Sequence, residues 1–475
     1  MKELKHISTL FILLAVTCSV TFGQSYYVVK PHPVSTRFNN EECPVLIGNK
    51  LIFLSNRSNS SFKKYFDTQE RNYFHIYTAS LDTVNKSWSV PESFNPNLTT
   101  NLSDGPLSID SSGRFIAFSR SLYSGKGGKN KNNPHVGIFF ANRKGEKWQD
   151  VSEFQHNTLD AQTTHPSINN AGKVMYFASD RTGGFGGYDL YVSYLENGSW
   201  SDPKNLGPLV NTTENELYPF IHPSGRLYFS SMGHDKNVGG YDIFYTEFYN
   251  LNWIKPIKLP GPINSGMKDF SYFVDEKFEK GFFTSTRRGS VDIFNFSSNL
   301  PTFEVCQEQK KDNFCFLLYE ENTMEMDTSL YAYEWNLGDG TKVRDIQAKH
   351  CYQDPGKYVV NLDVIDKLTK EVLFNQASYD LEVERIEQPY ITLPDSISVN
   401  QEIQFNGVQS YFKTIKPGEF YWDFGDGFRG IGASAKHVYK VPGKYTVKLG
   451  VIEDDEDIKN PARFCSFKMI NILEK

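Results

Sequence analysis

Short apolar runs closed by a serine punctuate the first part of the chain. They read LIFLS ending at Ser55, FIAFS at Ser119, MYFAS at Ser179, LYFSS at Ser231 and GFFTS at Ser285. Runs of this length between turn residues predict strands rather than helices. Around each lies the same sequence of signals. A start strand and a Gly-bearing turn come before the run. A loop, a strand opening on HIY (His75), GIF (Gly137), DLY (Asp189), DIF (Asp242) or DIF (Asp292), and a tryptophan follow it. The pattern is clearest between His165 and Leu259, where one unit is written twice.

A period of about 40–60 residues built from four short strands is the signature of a β-propeller blade. Such a blade needs neighbours on both sides to bury its faces. Trp88, Trp148, Trp200 and Trp253 open the fourth strand of the first four copies, and the fifth copy lacks one. The missing strand is read at the other end of the chain, where YYVVKPHP follows Gln24. Closing the ring with strands from both termini removes open sheet edges. The expectation is a five-bladed β-propeller over residues 24–300, since no stretch supplies a sixth blade. Polar insertions at Ser58–Asn72 and Tyr123–Asn133 are read as rim loops.

Beyond Phe296 the period changes. YEWNLGDG with HCYQDPGKYVVNLDV is followed by FYWDFGDG with HVYKVPGKYTVKLGV. Tyr358, Val360, Leu362 and Val364 alternate, as do Tyr445, Val447, Leu449 and Val451, which predicts strands with one buried face. Trp335 and Trp422 are the expected cores of two Ig-like β-sandwiches, residues 301–386 and 387–475. The whole chain is therefore expected to be all-β.

Composition adds limits. Aromatics make up 15% of the 475 residues, which suits many short strands. The net charge of −6 is spread evenly, so no basic face for nucleic acid is visible. Residues 1–23 read as a signal peptide: Lys2 and Lys5, an apolar stretch from Leu10 to Val20, and a small-residue exit. Cys18, preceded by Ala15, Val16 and Thr17, departs from a lipid-attachment pattern at Thr17. The mature chain holds no run of about 20 apolar residues, so no transmembrane span is expected. Of the five cysteines left after residue 23, at least one is unpaired within the chain. Cys351 is expected to bridge to Cys306 or Cys315.

The propeller repeat resembles the WD40-like, TolB-type repeat of bacterial envelope proteins. WNLGDG…HCY…PGKY and WDFGDG…HVY…PGKY resemble polycystic-kidney-disease-type (PKD) domains, the first with Asn336 and Leu337 in place of Asp and Phe. Similar propellers occur in OmpA-family proteins, including PorE-like components of type IX secretion and gliding machinery. Those carry a peptidoglycan-binding domain that has no counterpart before Lys475. The resemblance implies an exported protein, periplasmic or outer-membrane-associated or at the cell surface. Its partners would be envelope or outer-membrane proteins, with glycans or peptidoglycan as further ligands.

Candidate chemistry is sparse. Asp189, Asp242 and Asp292 hold one blade position and are read as structural, because a catalytic residue is needed once. Asp339 and Asp426 sit in Gly-Asp-Gly turns as fold determinants, and His350 and His437 are read as packing or backbone-bonding residues rather than metal ligands. Glycoside hydrolysis needs two carboxyl groups about 5–10 Å apart. Glu214, Glu216 and Asp269 are the candidates, and nothing singles out a pair. The glycines of Gly183–Gly187 and Gly239-Gly240 precede strands, not the helix a phosphate loop requires. No catalytic, cofactor-binding or metal residue is assigned and no cofactor is expected. The expected function is a non-catalytic scaffold for protein–protein interaction, an accessory of an outer-membrane, type IX secretion or gliding complex. The alternative is a secreted carbohydrate-binding or glycoside-hydrolysing propeller protein.

Overall fold

A computed structural model describes residues 27–57, 73–100, 102–122, 135–235, 237–303, 305–321, 326–394, 396–454 and 460–474. The signal peptide, Cys18 and the two polar insertions lie outside these residues. The described chain is all-β, with a single 3-10 turn at Pro96–Leu98 and no α-helix. It divides into two compact units, Met1–Asn299 and Leu300–Lys475.

Among the described residues the first unit contains five antiparallel sheets of four or five strands and a two-stranded ribbon, Phe248–Tyr249 with Asn252–Trp253. Trp253 thus lies outside the fourth sheet, whose outer strand is Ile257–Lys258. The first strands of the five sheets are Glu41–Ile47, Asp104–Ile109, Thr163–Ile168, Glu216–Ile221 and Asp269–Val274. The serine-closed runs form the second strands, and those of the fourth and fifth sheets are buried almost throughout. A strand covered on both faces needs a continuous apolar run, which is what the sequence supplies. In three of the sheets the turn between first and second strands is fixed by one carboxylate or amide oxygen. Asp110 Oδ1 takes the N–H groups of Arg114 and Phe115, and Asn169 and Asp275 do the same in their sheets. In the fifth sheet the outer strand is Tyr27–Pro31, paired antiparallel with Asp292–Ser298 across the length of the unit.

Sheet-to-sheet bonds repeat as well. The N–H groups of Asp104, Glu216, Asp269 and Glu41 donate to the carbonyls of Phe74, Tyr188, Tyr241 and Val291 in the preceding sheet, the last linking fifth to first. Hydroxyls add to this: His165 N–H donates to Ser119 Oγ at 3.0 Å, Ser271 N–H to Ser230 Oγ at 3.2 Å, and Cys43 N–H to Thr284 Oγ1 at 3.3 Å.

In four of the five sheets an arginine just after, or next to, the serine of the second strand stacks on two rings of that sheet. Arg57 lies over Phe53 and Tyr77, Arg120 over Phe118 and Phe139, Arg181 over Phe177 and Tyr191, and Arg287 over Phe283 and Phe294. Three of them meet a buried carboxylate on the first strand: Arg57–Glu41 at 2.9 Å, Arg120–Asp104 at 2.9 Å and Arg287–Asp269 at 2.6 Å. Cation–π stacking and a paired charge let a guanidinium be covered without an orphaned ion. In the fourth sheet His234 takes the place, packed on Phe229 and Phe244.

The second unit holds the two sandwiches, each around its tryptophan. Trp335 centres a core with Leu337, Tyr352, Val360 and Leu362, and Trp422 one with Phe405, Phe424, Tyr439 and Leu449. The motif residues interlock in the same way twice. His350 Nε2 meets Asp339 Oδ2 at 2.6 Å, and His437 Nε2 meets Asp426 Oδ2 at 2.7 Å. Tyr352 O–H donates to Leu337 O, and Tyr439 O–H to Phe424 O. The histidines therefore bond a side chain as well as packing on a ring.

Two disulfides join Cys315 to Cys351 and Cys306 to Cys465. The first is one of the two pairings open from sequence. The second was not foreseen and ties the start of the first sandwich segment to the last strand of the second. Gln307–Glu308 accordingly pairs in parallel with Arg463–Ile472, so these residues belong to the second sandwich's sheet.

Candidate functional site

The site that sequence reasoning missed lies where the five first strands run side by side. Each strand carries a β-bulge at the same place, between Glu42 and Val45, Asp104 and Leu107, Thr164 and Ser167, Leu217 and Phe220, and Phe270 and Phe273. The bulge residue is left-handed in all five: Cys43 (φ 56°), Gly105 (φ 96°), His165 (φ 53°), Tyr218 (φ 54°) and Ser271 (φ 53°). Non-glycine residues in this region carry strain of about 1–3 kcal/mol each. At the second sheet the glycine is required for space too, because a Cβ on Gly105 would lie 2.3 Å from Leu54 Cδ2.

Four unlike side chains with polar atoms are thereby presented at equivalent points of neighbouring sheets. The His165 ring stands edge-on to Tyr218, centroids 4.1 Å apart, and Tyr218 also packs on Phe270. His165 Nδ1 is buried without a hydrogen-bond partner. Burial drives the His165 imidazole down to about 3, so it is neutral. Burial also raises the Glu42 carboxyl to about 7. The Cys43 thiol is pushed well above its ordinary range by burial and the Glu42 charge, a contact with the Ser271 hydroxyl opposing them. Tyr218 is raised by burial and then by Glu42 and Cys43. A thiol held protonated is not an activated nucleophile. The cluster offers neutral hydrogen-bonding groups.

This layer floors a cavity of about 410 Å³ lined by all five first strands. Its wall is formed by apolar residues such as Val45, Leu107, Ile168, Phe220 and Phe273, with Asp110, Asp275 and Glu276 among the acidic lining residues. That volume is within the range of small-molecule pockets, about 300–1,000 Å³. Among the described residues no group of histidine, cysteine, aspartate or glutamate is arranged to hold a metal ion.

The sequence-predicted residues are placed elsewhere. Asp189 is buried and accepts from the N–H groups of Phe185 and Gly186 and from Asn205 Nδ2. Asp242 accepts from Val238 N–H and pairs with Lys258, and Asp292 accepts from Ser290 Oγ. Each of the three ties its own sheet's loop. Glu216 is held by Thr212 and Ser231, and Asp269 by Ser265 and Arg287. Glu214 is exposed. Burial raises Glu216 despite those bonds. Trp148 and Trp200 are buried at the sheet margins, and Trp88 and Trp253 are partly so. A signal for the arginines exists in Ser55/Arg57, Ser179/Arg181 and Ser285/Arg287, two apart each time. The bulges have a weaker one, the proline after the left-handed residue at Pro44, Pro106, Pro166 and Pro219.

Comparison with known proteins places the PKD domain family at residues 307–371 and 387–464. Human "Polycystin-1" is 28% identical over 127 residues, 25% of this chain and 3% of that protein. "Collagenase ColA" of Clostridium perfringens is 32% identical over 133 residues, 27% of this chain and 12% of that protein. The chain thus spans a small fraction of the curated relatives it matches. Among solved structures, Zg3597, a family 117 glycoside hydrolase from Zobellia galactanivorans, aligns at TM-score 0.36 and 10% identity, covering 58% of this chain and 92% of that one. An alpha-L-arabinofuranosidase from Lactobacillus brevis aligns at TM-score 0.33 and 12% identity over 58% of this chain and 88% of that one. Likenesses this slight carry no argument about activity.

Proposed function

We propose that the five sheets are the blades of a closed β-propeller and that the chain is a non-catalytic scaffold of the cell envelope. The PKD domains point to extracellular protein–protein or carbohydrate interaction. The observation that carries the scaffold reading is the placement of the buried carboxylates. Glu216 and Asp269, two of the three carboxylates considered for hydrolysis, are bonded to Thr212, Ser231, Ser265 and Arg287 inside the fold. A general acid needs a free proton-transfer path to its substrate. The bonds from sheet to sheet, the fifth to the first included, support ring closure. Among the described residues no helix is long and apolar enough to cross a membrane. The partners in this reading are outer-membrane or envelope proteins of a type IX secretion or gliding complex, as the WD40-like and PorE-like resemblance suggests, and the chain is exported to the periplasm or outer membrane.

The second reading, a carbohydrate-binding or glycoside-hydrolysing protein, draws on the cavity with its acidic lining residues. Pull-down of the tagged full-length protein from gently solubilised envelopes, with mass spectrometry, tests the two. Stoichiometric recovery of outer-membrane components is expected. A companion-free monomer that binds on a glycan array, and loses binding in Glu276→Gln, replaces the scaffold reading with the carbohydrate one.

A further inference from the structure

The two sandwiches share a strand order and differ at one edge. In the second, Arg463–Ile472 pairs with Gly443–Glu453 on one side and with Gln307–Glu308 on the other. The Cys306–Cys465 disulfide and a bond from Gln309 N–H to Phe467 O hold that covering segment in place. In the first sandwich the counterpart strand is Val372–Val383, paired with Gly356–Asp366. Among the described residues no strand pairs with its other side. It runs for 12 residues, well beyond the usual strand of about 5–6. The unpaired backbone groups of such an edge template another strand, and charged side chains along it restrict which strand can pair.

The side chains along this edge say what kind of strand fits. Leu373, Phe374 and Tyr379 are exposed at 43%, 67% and 45%. Asp380 and Glu382 are exposed just after them, Glu371 and Glu384 flank the strand, and no lysine or arginine occurs from residue 371 to 384. Glu320 lies beside it as well, taking the Tyr379 hydroxyl. Two exposed lysines reach these acids from neighbouring segments, Lys357 at 3.7 Å from Glu382 and Lys413 paired with Glu384, and neither lies on the edge strand itself. A second copy of this edge would set acid against acid, and like charges placed opposite across strands are destabilising.

We propose that the Val372–Val383 edge is a strand-addition site for an extended segment of a partner protein in which basic and apolar residues alternate. Main-chain hydrogen bonds to the open edge would supply the affinity. Asp380 and Glu382 would select lysine or arginine, and Leu373, Phe374 and Tyr379 would cover the apolar positions. The covered edge of the second sandwich is the internal example of the same geometry. The proposal rests on the interaction reading above and names its partner's chemistry.

The test uses the purified full-length chain and two short peptides, one alternating lysine with valine and one alternating glutamate with valine. Amide hydrogen exchange is followed along the whole molecule. The lysine peptide is expected to slow exchange within residues 373–382, and the glutamate peptide to leave it unchanged. Asp380→Lys with Glu382→Lys is expected to weaken the lysine peptide about tenfold and to admit the glutamate peptide. The milder Asp380→Asn with Glu382→Gln should fall between. Both positions are exposed, and unchanged exchange elsewhere shows that the fold is kept. No added protection in 373–382, or equal protection by both peptides, overturns the proposal. So does protection that grows with protein concentration alone, which would assign the edge to a second copy. A failed envelope pull-down beside a positive peptide result removes the complex and keeps the edge site. The reverse pair of results removes the edge site alone.

Discussion

Two repeat arrays stand in one chain, and different chemistry holds each together. The first unit copies its sheet five times, ties a sheet internally with a guanidinium on two rings and a carboxylate beside it, and joins the copies with bonds such as a hydroxyl reaching the next sheet. Its described cysteine, Cys43, is free and buried. The second unit has only two copies, and two disulfides staple them. Stacked repeats bury each copy against its neighbours, so a network of modest bonds is repeated from sheet to sheet. A pair of small sandwiches has fewer neighbours and relies on covalent closure, as small exported domains commonly do.

Reduction should therefore separate the two arrays, and this is the largest effect expected. Cys306 and Cys465 are 159 residues apart and Cys315 and Cys351 are 36 apart. By loop entropy the long link contributes about 5 kcal/mol and the short one about 4 kcal/mol. Urea unfolding of Cys306→Ser/Cys465→Ser should show the greater loss, with faster amide exchange along Arg463–Ile472 as Gln307–Glu308 detaches. Exchange in the five sheets of the first unit should not change on adding reductant. A fall in protection there would break the comparison.

Within the first array the clamps can be graded against each other. Arg287 touches Asp269, Ser285 and the carbonyls of Pro262 and Ile263. Arg287→Met leaves a fully buried carboxylate without its cation, which costs about 3–5 kcal/mol. Arg181 is bonded to Ser179, Thr163 and the His156 carbonyl, all neutral. Arg181→Met should cost only about 1–2 kcal/mol, the loss of hydrogen bonds without an orphaned charge. Equal losses in chemical unfolding would show that stacking on the rings, not charge pairing, does the clamping.

How much of this was legible beforehand follows from which signals have a letter. Strand runs, turns and the six tryptophans were readable because burial and turn chemistry demand particular residue types. The paired motifs Asp339/His350 and Asp426/His437 were readable as repeats, and their equal spacing held the clue to the contact between them. The arginine clamps were missed because arginine is normally a surface residue. They also fall out of step at Arg120 and give way to His234 in the fourth sheet. The left-handed bulge residues Cys43, His165, Tyr218 and Ser271 differ in side-chain chemistry; backbone geometry makes them equivalent, and the only letter near them is the proline that follows three of the four. Cysteine parity required an odd residue, but only folding brings Cys306 to Cys465 across a whole sandwich.

Acid should distinguish the arrays by the pH at which each begins to weaken, with the smallest effect of the three. In the first unit burial lowers His32 to about 4 and His165 to about 3. Below 6.5 the unfolded chain binds protons that these folded imidazoles refuse, so stability falls by about 1.4 kcal/mol per pH unit for each. Glu42 acts in the opposite sense. Its folded value near 7 lies above its ordinary 4.5, so its contribution is present at low pH and lost as pH rises through 7. Burial lowers His222 and His234, which adds to the loss, while the raised Glu216 opposes it. With the three printed values, the net decline from pH 6.5 to 4.5 is about 1.4 kcal/mol per unit, or about 2 kcal/mol by pH 5. In the second unit the shifted acids run differently. Burial raises Asp339, but the Thr341 N–H and His350 outweigh it and leave the carboxyl below its usual range. Lysine and arginine bonds lower Glu334 likewise. Stability held by such groups is present above about 4 and lost only as pH falls through the lowered values. Exchange measured from pH 6.5 to 4.5 should thus show the first unit loosening while the second holds. Glu42→Gln removes the offset and should double the slope to about 2.7 kcal/mol per unit. His165→Asn, at a left-handed position that asparagine tolerates, should flatten it. A first unit of constant stability across that window would mean that the buried histidines gain protons in place, and that acid does not separate the two arrays.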